Sequence, residues 1–483
     1  MDSVRTICRA PVRRRGGVMR LICGVALFAS ILMYMCLLRN QFEDESSNLP
    51  GRTFIRNSLL KGFYLESDQW RLTDTAGHRV NSESVRHLMA DRRKLEFFGE
   101  DGEELIDSIS CNTIGEIEER EFLAAGWTKA VYSGRYHEHL LAVKVVNTNG
   151  HDLQACLREK GDNFQDCYRK SAAKILKEIV LFKQLVHDNM LKVFGYCIPN
   201  GDFTGKDGGV VAMVTELGEP LDIIKLLQMS WEDRLRICLG VARLLYYMAN
   251  SPLGSLAMND FRRQQFVLVK GELKLSDVDD MSVNEPSCPS GKEACDISLL
   301  NGNLTLSVKC VQGVCKGHNE KLNIVKAGRH FTTFLLPHGA PTQLRPLVDE
   351  IVRAYNTVSW DSKKILRTTE DLVQMYVSGK YLKKGRQLNS KIIEKYHKFN
   401  FSDLPGHFDY RCQLSLSGNG CTLSVFDIQE AKDICSRDAD CKAFVVTNQT
   451  TWTGRTLVHF KSDFSRNPVW NSMTTLFLKD TTV

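Results

Sequence analysis

Lys144 sits in LLAVKVV, between Val143 and Val145, and no other feature of this chain narrows its folding options so far. An ammonium carried into an apolar environment is costly unless a carboxylate meets it. The chain must therefore bring an acid to this strand from elsewhere, or leave Lys144 at a strand edge in water. The acid on offer is Glu178, 34 residues on, in SAAKILKEIVLFKQL, whose apolar residues recur at helical spacing. Lys174 and Lys177, on the same predicted helix, offer Glu178 ordinary surface pairing instead.

The surroundings of Lys144 set the architecture. From about residue 106 come short β-rich pieces, FLAAG, AVYSGRY, HLLAVKVV, MLKVFGYC and VVAMVTELG, with turn residues between them. Beyond Gly218 the pattern turns helical. SWEDRLRICLGVARLLYYMAN opens on Ser230 as N-cap and carries Leu235, Val241, Leu244, Leu245 and Met248 as one stripe. Two short strands, QFVLV and ELKLS, follow; then a cysteine-rich insert over 281–318 and further helices to about 400. A small β-rich lobe with one helix, followed by a larger helical lobe, is the α+β bilobal plan of a protein kinase.

Phosphoryl transfer needs a cation on the nucleotide phosphates, a divalent metal, a carboxylate beside the attacking hydroxyl and an adenine pocket. FLAAGWTKAVY aligns with the kinase glycine loop, keeping Gly126, with Leu123 before it and Val131 after it; Ala124 and Lys129 stand where the outer glycines would be. A plain β-hairpin is the competing reading of this stretch. Lys144 matches the nucleotide lysine of V-A-I-K and Glu178 its helical partner. The backbone of Glu216 and Gly218 is placed to bind adenine, with Thr215 behind. Asp260 opens DFRRQQ, where H-R-D-x-x-x-x-N is expected, and is the candidate catalytic carboxylate. Met258 and Asn259 replace the His-Arg pair, and Gln265 takes the asparagine position as a candidate metal ligand. Asp277, 17 residues after Asp260, keeps the metal-binding acid of D-F-G within SDVDD. The cofactors expected are ATP with Mg2+ or Mn2+.

The N-terminus bears on compartment. Six arginines in the first 20 residues precede an uncharged run, Leu21 to Leu38, long enough to cross a bilayer as a helix. The arginine bias predicts a cytosolic tail over 1–20, an uncleaved signal-anchor over 21–38 and a lumenal stem over 39–105. A cleaved signal peptide is the alternative. Thirteen of the 16 cysteines lie beyond that run, ten of them in tight local groups, which an oxidising lumen would pair. Zinc competes, but no group has doubled C-x-x-C spacing. Sequons at Asn303, Asn400 and Asn448 add candidate glycosylation sites. The net charge of +6 is spread thinly and does not mark a nucleic-acid binder.

GWTKAVY, NGHDL, SPLGS, DFRRQQFVLV, GELKLSDVDD, NEKLN and VVTNQTTWTGR together resemble the vertebrate lonesome kinase family over about 115–480. That resemblance implies an ATP-dependent kinase acting on tyrosines of secretory-pathway and extracellular-matrix proteins, held in the Golgi as a type II membrane protein or secreted. It implies Lys144 as the nucleotide lysine and Asp260 as the catalytic carboxylate. The kinase domain is expected over 106–400. The segment 405–483 resembles a PAN/apple-like module, which binds proteins or glycans, with a disulfide-stapled brace as its other reading. Trp452 and Trp470 are its candidate exposed contacts. Two other functions stay open: a pseudokinase scaffold, and a lumenal kinase acting on a glycan.

Overall fold

The computed structural model describes residues 109–160, 163–199, 210–289, 293–299, 304–382, 395–412, 415–416 and 420–480. The expected signal-anchor, the stem and Asn303 lie outside them. Among the described residues no helix is long and apolar enough to cross a membrane.

Five antiparallel strands open the fold: β1 (Glu118–Ala125), β2 (Lys129–Tyr136), β3 (His139–Val146), β4 (Val193–Cys197) and β5 (Ala212–Glu216), in the order β1-β2-β3-β5-β4. Two helices, α1 (His151–Lys160) and α2 (Phe164–Gln184), lie between β3 and β4 in sequence. The long spacing from Lys144 to Glu178 is thus filled by α1, and Cys156–Cys167 joins it to α2. Asn163 caps α2 by accepting from the Asp166 amide. Its inner face buries Ile175, Ile179 and Phe182, with Glu178 among them. Cys111–Cys197 ties the segment ahead of β1 to the end of β4.

The larger lobe is built on α4 (Trp231–Ala249), reached through β6 (Glu219–Pro220) and α3 (Ile223–Gln228). Ser230 caps α4 from its side-chain oxygen, and most of the helix is buried. After it come β7 (Ala257–Met258), β8 (Phe266–Val269), β9 (Glu272–Leu275) and β10 (Met281–Ser282). A three-stranded sheet follows, β11 (Ala294–Leu299), β12 (Leu304–Val311) and β13 (Val314–Cys315). Cys288–Cys310 and Cys295–Cys315 lock it. Helices α5 (His318–Ala327), α6 (Arg345–Thr357) and α7 (Ser362–Val377) complete the lobe. This is a kinase-like fold.

The C-terminal sheet has the order β14-β18-β16-β17-β15, from β14 (Tyr396–Asp403), β15 (Cys421–Val425), β16 (Ala443–Thr450), β17 (Thr456–Lys461) and β18 (Val469–Lys479). Helix α8 (Ile428–Arg437) packs on it, and Phe444, Phe460 and Phe477 fill its core. Cys412–Cys421 and Cys435–Cys441 staple it. The boundary expected at 400–405 cuts through this sheet, because β14 pairs with β18 from Tyr396 onward. Trp452 also departs from expectation. It is 8% exposed and lies beneath Arg236 of α4, whereas Trp470 is 75% exposed.

Candidate active site

Lys144 is the third side chain from the end of β3, and its neighbours settle where it points. Cross-strand partners share a face, and Val131 on β2 stands opposite Lys144. Lys129, two residues before Val131, lies on that face too. Both lysines are buried, and both reach Glu178 of α2, which is fully buried. Lys144 Nζ donates to Glu178 Oε1 at 2.6 Å and to the Ser276 carbonyl. Lys129 Nζ donates to the other oxygen, Oε2, at 2.9 Å. It also meets Asp277 Oδ1 at 2.8 Å and Asp279 Oδ2 at 3.2 Å. Lys174 and Lys177 are engaged elsewhere. Lys174 pairs with Asp152 at 2.7 Å, and Lys177 donates to the carbonyls of Asp279 and Met281.

Two ammoniums therefore face three carboxylates. Burial raises the Asp277 carboxyl, but the charges of Lys129 and Lys144 outweigh it and hold Asp277 down at about 2. Asp279 is driven the other way, up to about 6, by burial and by Asp277 beside it, with Lys129 only partly offsetting this. Burial opposes the charge on Lys129, yet Glu178, Asp277 and Asp279 together lift its pKa above the ordinary lysine value.

Asp260 follows β7 on the turn into β8. Arg262 and the Gln265 side-chain amide both donate to Asp260 Oδ2 at 2.5 Å, and the Arg262 guanidinium also pairs with Oδ1. Partial burial pushes this carboxyl up, but these donors prevail and keep it below the usual carboxylate value. The Asp277 charge also raises the Asp260 carboxyl, by less than these donors lower it. Gln265 spends its side-chain N–H on Asp260, and its backbone carbonyl accepts from Ser276 N at 2.8 Å.

The strand-to-lobe connection holds Glu216 and Gly218. The Glu216 carboxylate pairs with Lys274 of β9 at 2.5 Å and accepts from the Lys192 amide at 2.6 Å, and its carbonyl accepts from Thr215. A Cβ on Gly218 would come within 2.5 Å of Val267 on β8, so only glycine lets the chain pass that close. Leu123 lies in a β-bulge of β1 and is exposed; Val131 is half-buried. The turn holding Gly126 is closed by Gly126 N donating to the Lys129 carbonyl at 2.8 Å.

Four supporting residues had no assigned role in the sequence reading. Asn323 of α5 accepts from Met258 N at 3.0 Å and donates to the Leu256 carbonyl at 2.8 Å. Lys326, one turn on, donates to the carbonyls of Met258 and Asn259. Asn259 donates to the Asp280 carbonyl at 2.9 Å. Asp152 of α1 accepts from Thr128 Oγ1 through its carboxylate at 2.5 Å, and its backbone N–H donates to Trp127 O at 3.2 Å. NEKLN and NGHDL were the only pointers to Asn323 and Asp152.

The donor set suits a nucleotide with its metal. Asp277 and Asp279 offer hard carboxylate oxygens to one point, now met by a single ammonium, and such oxygens suit Mg2+ or Mn2+.

No protein-family model matches the chain. Extracellular tyrosine-protein kinase PKDCC of Homo sapiens is 44% identical over 359 residues, which span 74% of this chain and 71% of that protein. The chain belongs to the lonesome kinase family. A further relative of this lonesome kinase, named Probable serine/threonine-protein kinase roco9, of Dictyostelium discoideum, is 22% identical over 276 residues, covering 56% of the chain and 6% of that protein.

Proposed function

We propose that the chain is an extracellular protein tyrosine kinase, transferring the γ-phosphoryl group of ATP to tyrosines of secreted and extracellular-matrix proteins. The observation carrying this reading is the buried Lys144–Glu178 pair at 2.6 Å, to which Lys129 joins Asp277. When bound, the nucleotide supplies the phosphoryl group and a divalent ion neutralises its charge. Lys144, steadied by Glu178, holds the phosphates. Asp277 and the Gln265 amide oxygen are the metal ligands; Asp279 stands beside them. Leu123, Val131 and the backbone of Glu216 and Gly218 enclose adenine, and Gly126 covers the phosphates. Asp260, ionised because Arg262 and Gln265 donate to it, orients the tyrosine hydroxyl. A phenol's ordinary pKa near 10 asks little base strength of it.

The six disulfides among the described residues fit an oxidising compartment. We assign residues 21–38 to a signal-anchor, Asn303, Asn400 and Asn448 to glycosylation, and the C-terminal unit to a PAN/apple-like module. Asn400 and Asn448 are exposed. The test is phosphate transfer by the purified secreted chain to a tyrosine-containing polymer, with phosphoamino-acid analysis in Mg2+ and in Mn2+. Lys144→Met and Asp277→Ala should each cut transfer by about 10²-fold or more while the protein stays folded. Retained transfer in either variant removes that residue from the assignment, and nucleotide binding without any transfer by the parent chain would make it a scaffold.

A further inference from the structure

Lys129 is the side chain that the proposed mechanism leaves unused, and it is the most heavily committed charge in the cleft. Its ammonium touches Glu178, Asp277 and Asp279, while its side chain is 10% exposed. Glu178 already serves Lys144 through its other oxygen. One carboxylate shared between two ammoniums leaves a positive charge over, and Asp277 and Asp279 more than offset it. That arrangement holds only while no divalent ion sits on Asp277. An ion on Asp277 repels Lys129 and takes its partners, and a buried ammonium left without anions is strongly disfavoured. The anions that arrive with the ion are the nucleotide's phosphates.

The backbone keeps Lys129 at this post. The turn before it is tied on three sides: Gly126 N to Lys129 O at 2.8 Å, Asn147 N to Thr128 O at 2.8 Å, and Asp152 N to Trp127 O at 3.2 Å. Thr128 Oγ1 donates to Asp152 Oδ2 at 2.5 Å. A Cβ on Gly150 would lie 2.2 Å from the Trp127 carbonyl, so α1 begins hard against the turn. A loop fixed in this way cannot settle onto phosphates by backbone flexing. A side chain with rotatable bonds can.

We infer that Lys129 is a second phosphate-binding cation, which pairs with Asp277 and Asp279 and passes to the nucleotide phosphates when the metal takes Asp277. This rests on the nucleotide-binding part of the proposed function. The test measures binding, not turnover, on the full secreted chain by calorimetry, titrating ATP and adenosine in Mn2+ and then Mn2+ alone. Lys129→Met should weaken ATP by about tenfold or more while adenosine changes less than about twofold, since only ATP carries the phosphates. Mn2+ alone should bind more tightly to Lys129→Met, because its competitor is gone. Lys129→Arg should keep the ATP-to-adenosine ratio near that of the parent. Equal weakening of ATP and adenosine, or weaker Mn2+ binding, would show Lys129 to be a structural counter-ion and overturn the inference. Should Lys129→Met not fold, Lys129→Gln is read by the same ratio. A parent chain that binds ATP and transfers nothing would defeat the proposed kinase activity while leaving Lys129 measurable.

Discussion

Glu232→Gln should loosen the C-terminal unit from the kinase lobe. Glu232 lies in the first turn of α4 and is 2% exposed, with its carboxylate aimed at the C-terminal sheet. Oε1 accepts from Thr453 Oγ1 at 2.5 Å; Oε2 accepts from Ser424 Oγ at 2.7 Å and Tyr376 Oη at 3.3 Å. The positive end of α4 also favours the anion, an effect of about 0.3–1 kcal/mol, and more where partly buried. Glutamine keeps the shape but turns one acceptor into a donor facing a hydroxyl. Losing charge assistance on the two short bonds costs roughly 1 kcal/mol each, and one hydroxyl must then turn away. The expected loss is about 2–4 kcal/mol, or about 4–8 °C in thermal midpoint at roughly 2 °C per kcal/mol for a unit this large. Calorimetry on the parent, Glu232→Gln, Thr453→Ala and the double variant measures it. The two changes should overlap by about 1 kcal/mol or more, since they break one contact. A Glu232→Gln midpoint within about 1 °C of the parent, or single losses that simply add, would refute the latch.

Two other expectations concern the supports of the cleft. Burial raises the Asp152 carboxyl, but hydrogen bonds from Lys174 and Thr128 outweigh that and hold it at about 2, below its ordinary 3.8. Its contribution to stability is therefore present above about pH 4 and lost as pH falls through about 2. The midpoint gap between the parent and Asp152→Asn should be steady from pH 8 to 5 and shrink below about 4; a gap unchanged at pH 3 argues against the pairing. Asn323→Ala leaves Met258 N and the Leu256 carbonyl unpaired in the core, costing about 2–4 kcal/mol. It should lower kcat on a tyrosine peptide more than it raises KM, because Met258 leads into Asp260; an unchanged kcat would mean the loop is held without it.

The parts of the site most legible in sequence are those where a charge interrupts an apolar run. Lys144 and Glu178 stand out because a charge in an apolar run needs a partner or water, and the structure puts the two in contact. Lys129 is harder to read, since a lysine beside a turn looks solvated. Only the β2–β3 register, pairing Lys129 with Val146 and Val131 with Lys144, brings it to the same face. Strand β14 was missed as part of the last sheet because YHKFNFSD is mostly exposed and only Phe399 and Phe401 alternate in it, too short a pattern to mark a strand. Trp452 was misread for a related reason. An isolated aromatic in a polar turn gives no hint of the lobe that covers it, and here Arg236 does so.

The missing positioners of this cleft have physical substitutes, and these explain several motifs that carry no chemistry themselves. Where the His-Arg pair of the catalytic loop is absent, Asn323 and Lys326 hold Met258 and Asn259 from α5 by their backbone. Asn259 reaches across to the Asp280 carbonyl, and Lys177 secures Asp279 and Met281 from α2. Helix α2 is itself bound through Cys156–Cys167 to α1, whose Asp152 fastens the turn ahead of Lys129. The segment after Asp280 is closed by Cys288–Cys310 and Cys295–Cys315. In a kinase ordered by phosphorylation, an added charge supplies the energy that assembles such contacts. Here the contacts are made by side chains already charged or covalently linked. The same fastening removes the freedom of a glycine-rich loop, which is why a flexible side chain at position 129 is the piece left to follow the nucleotide.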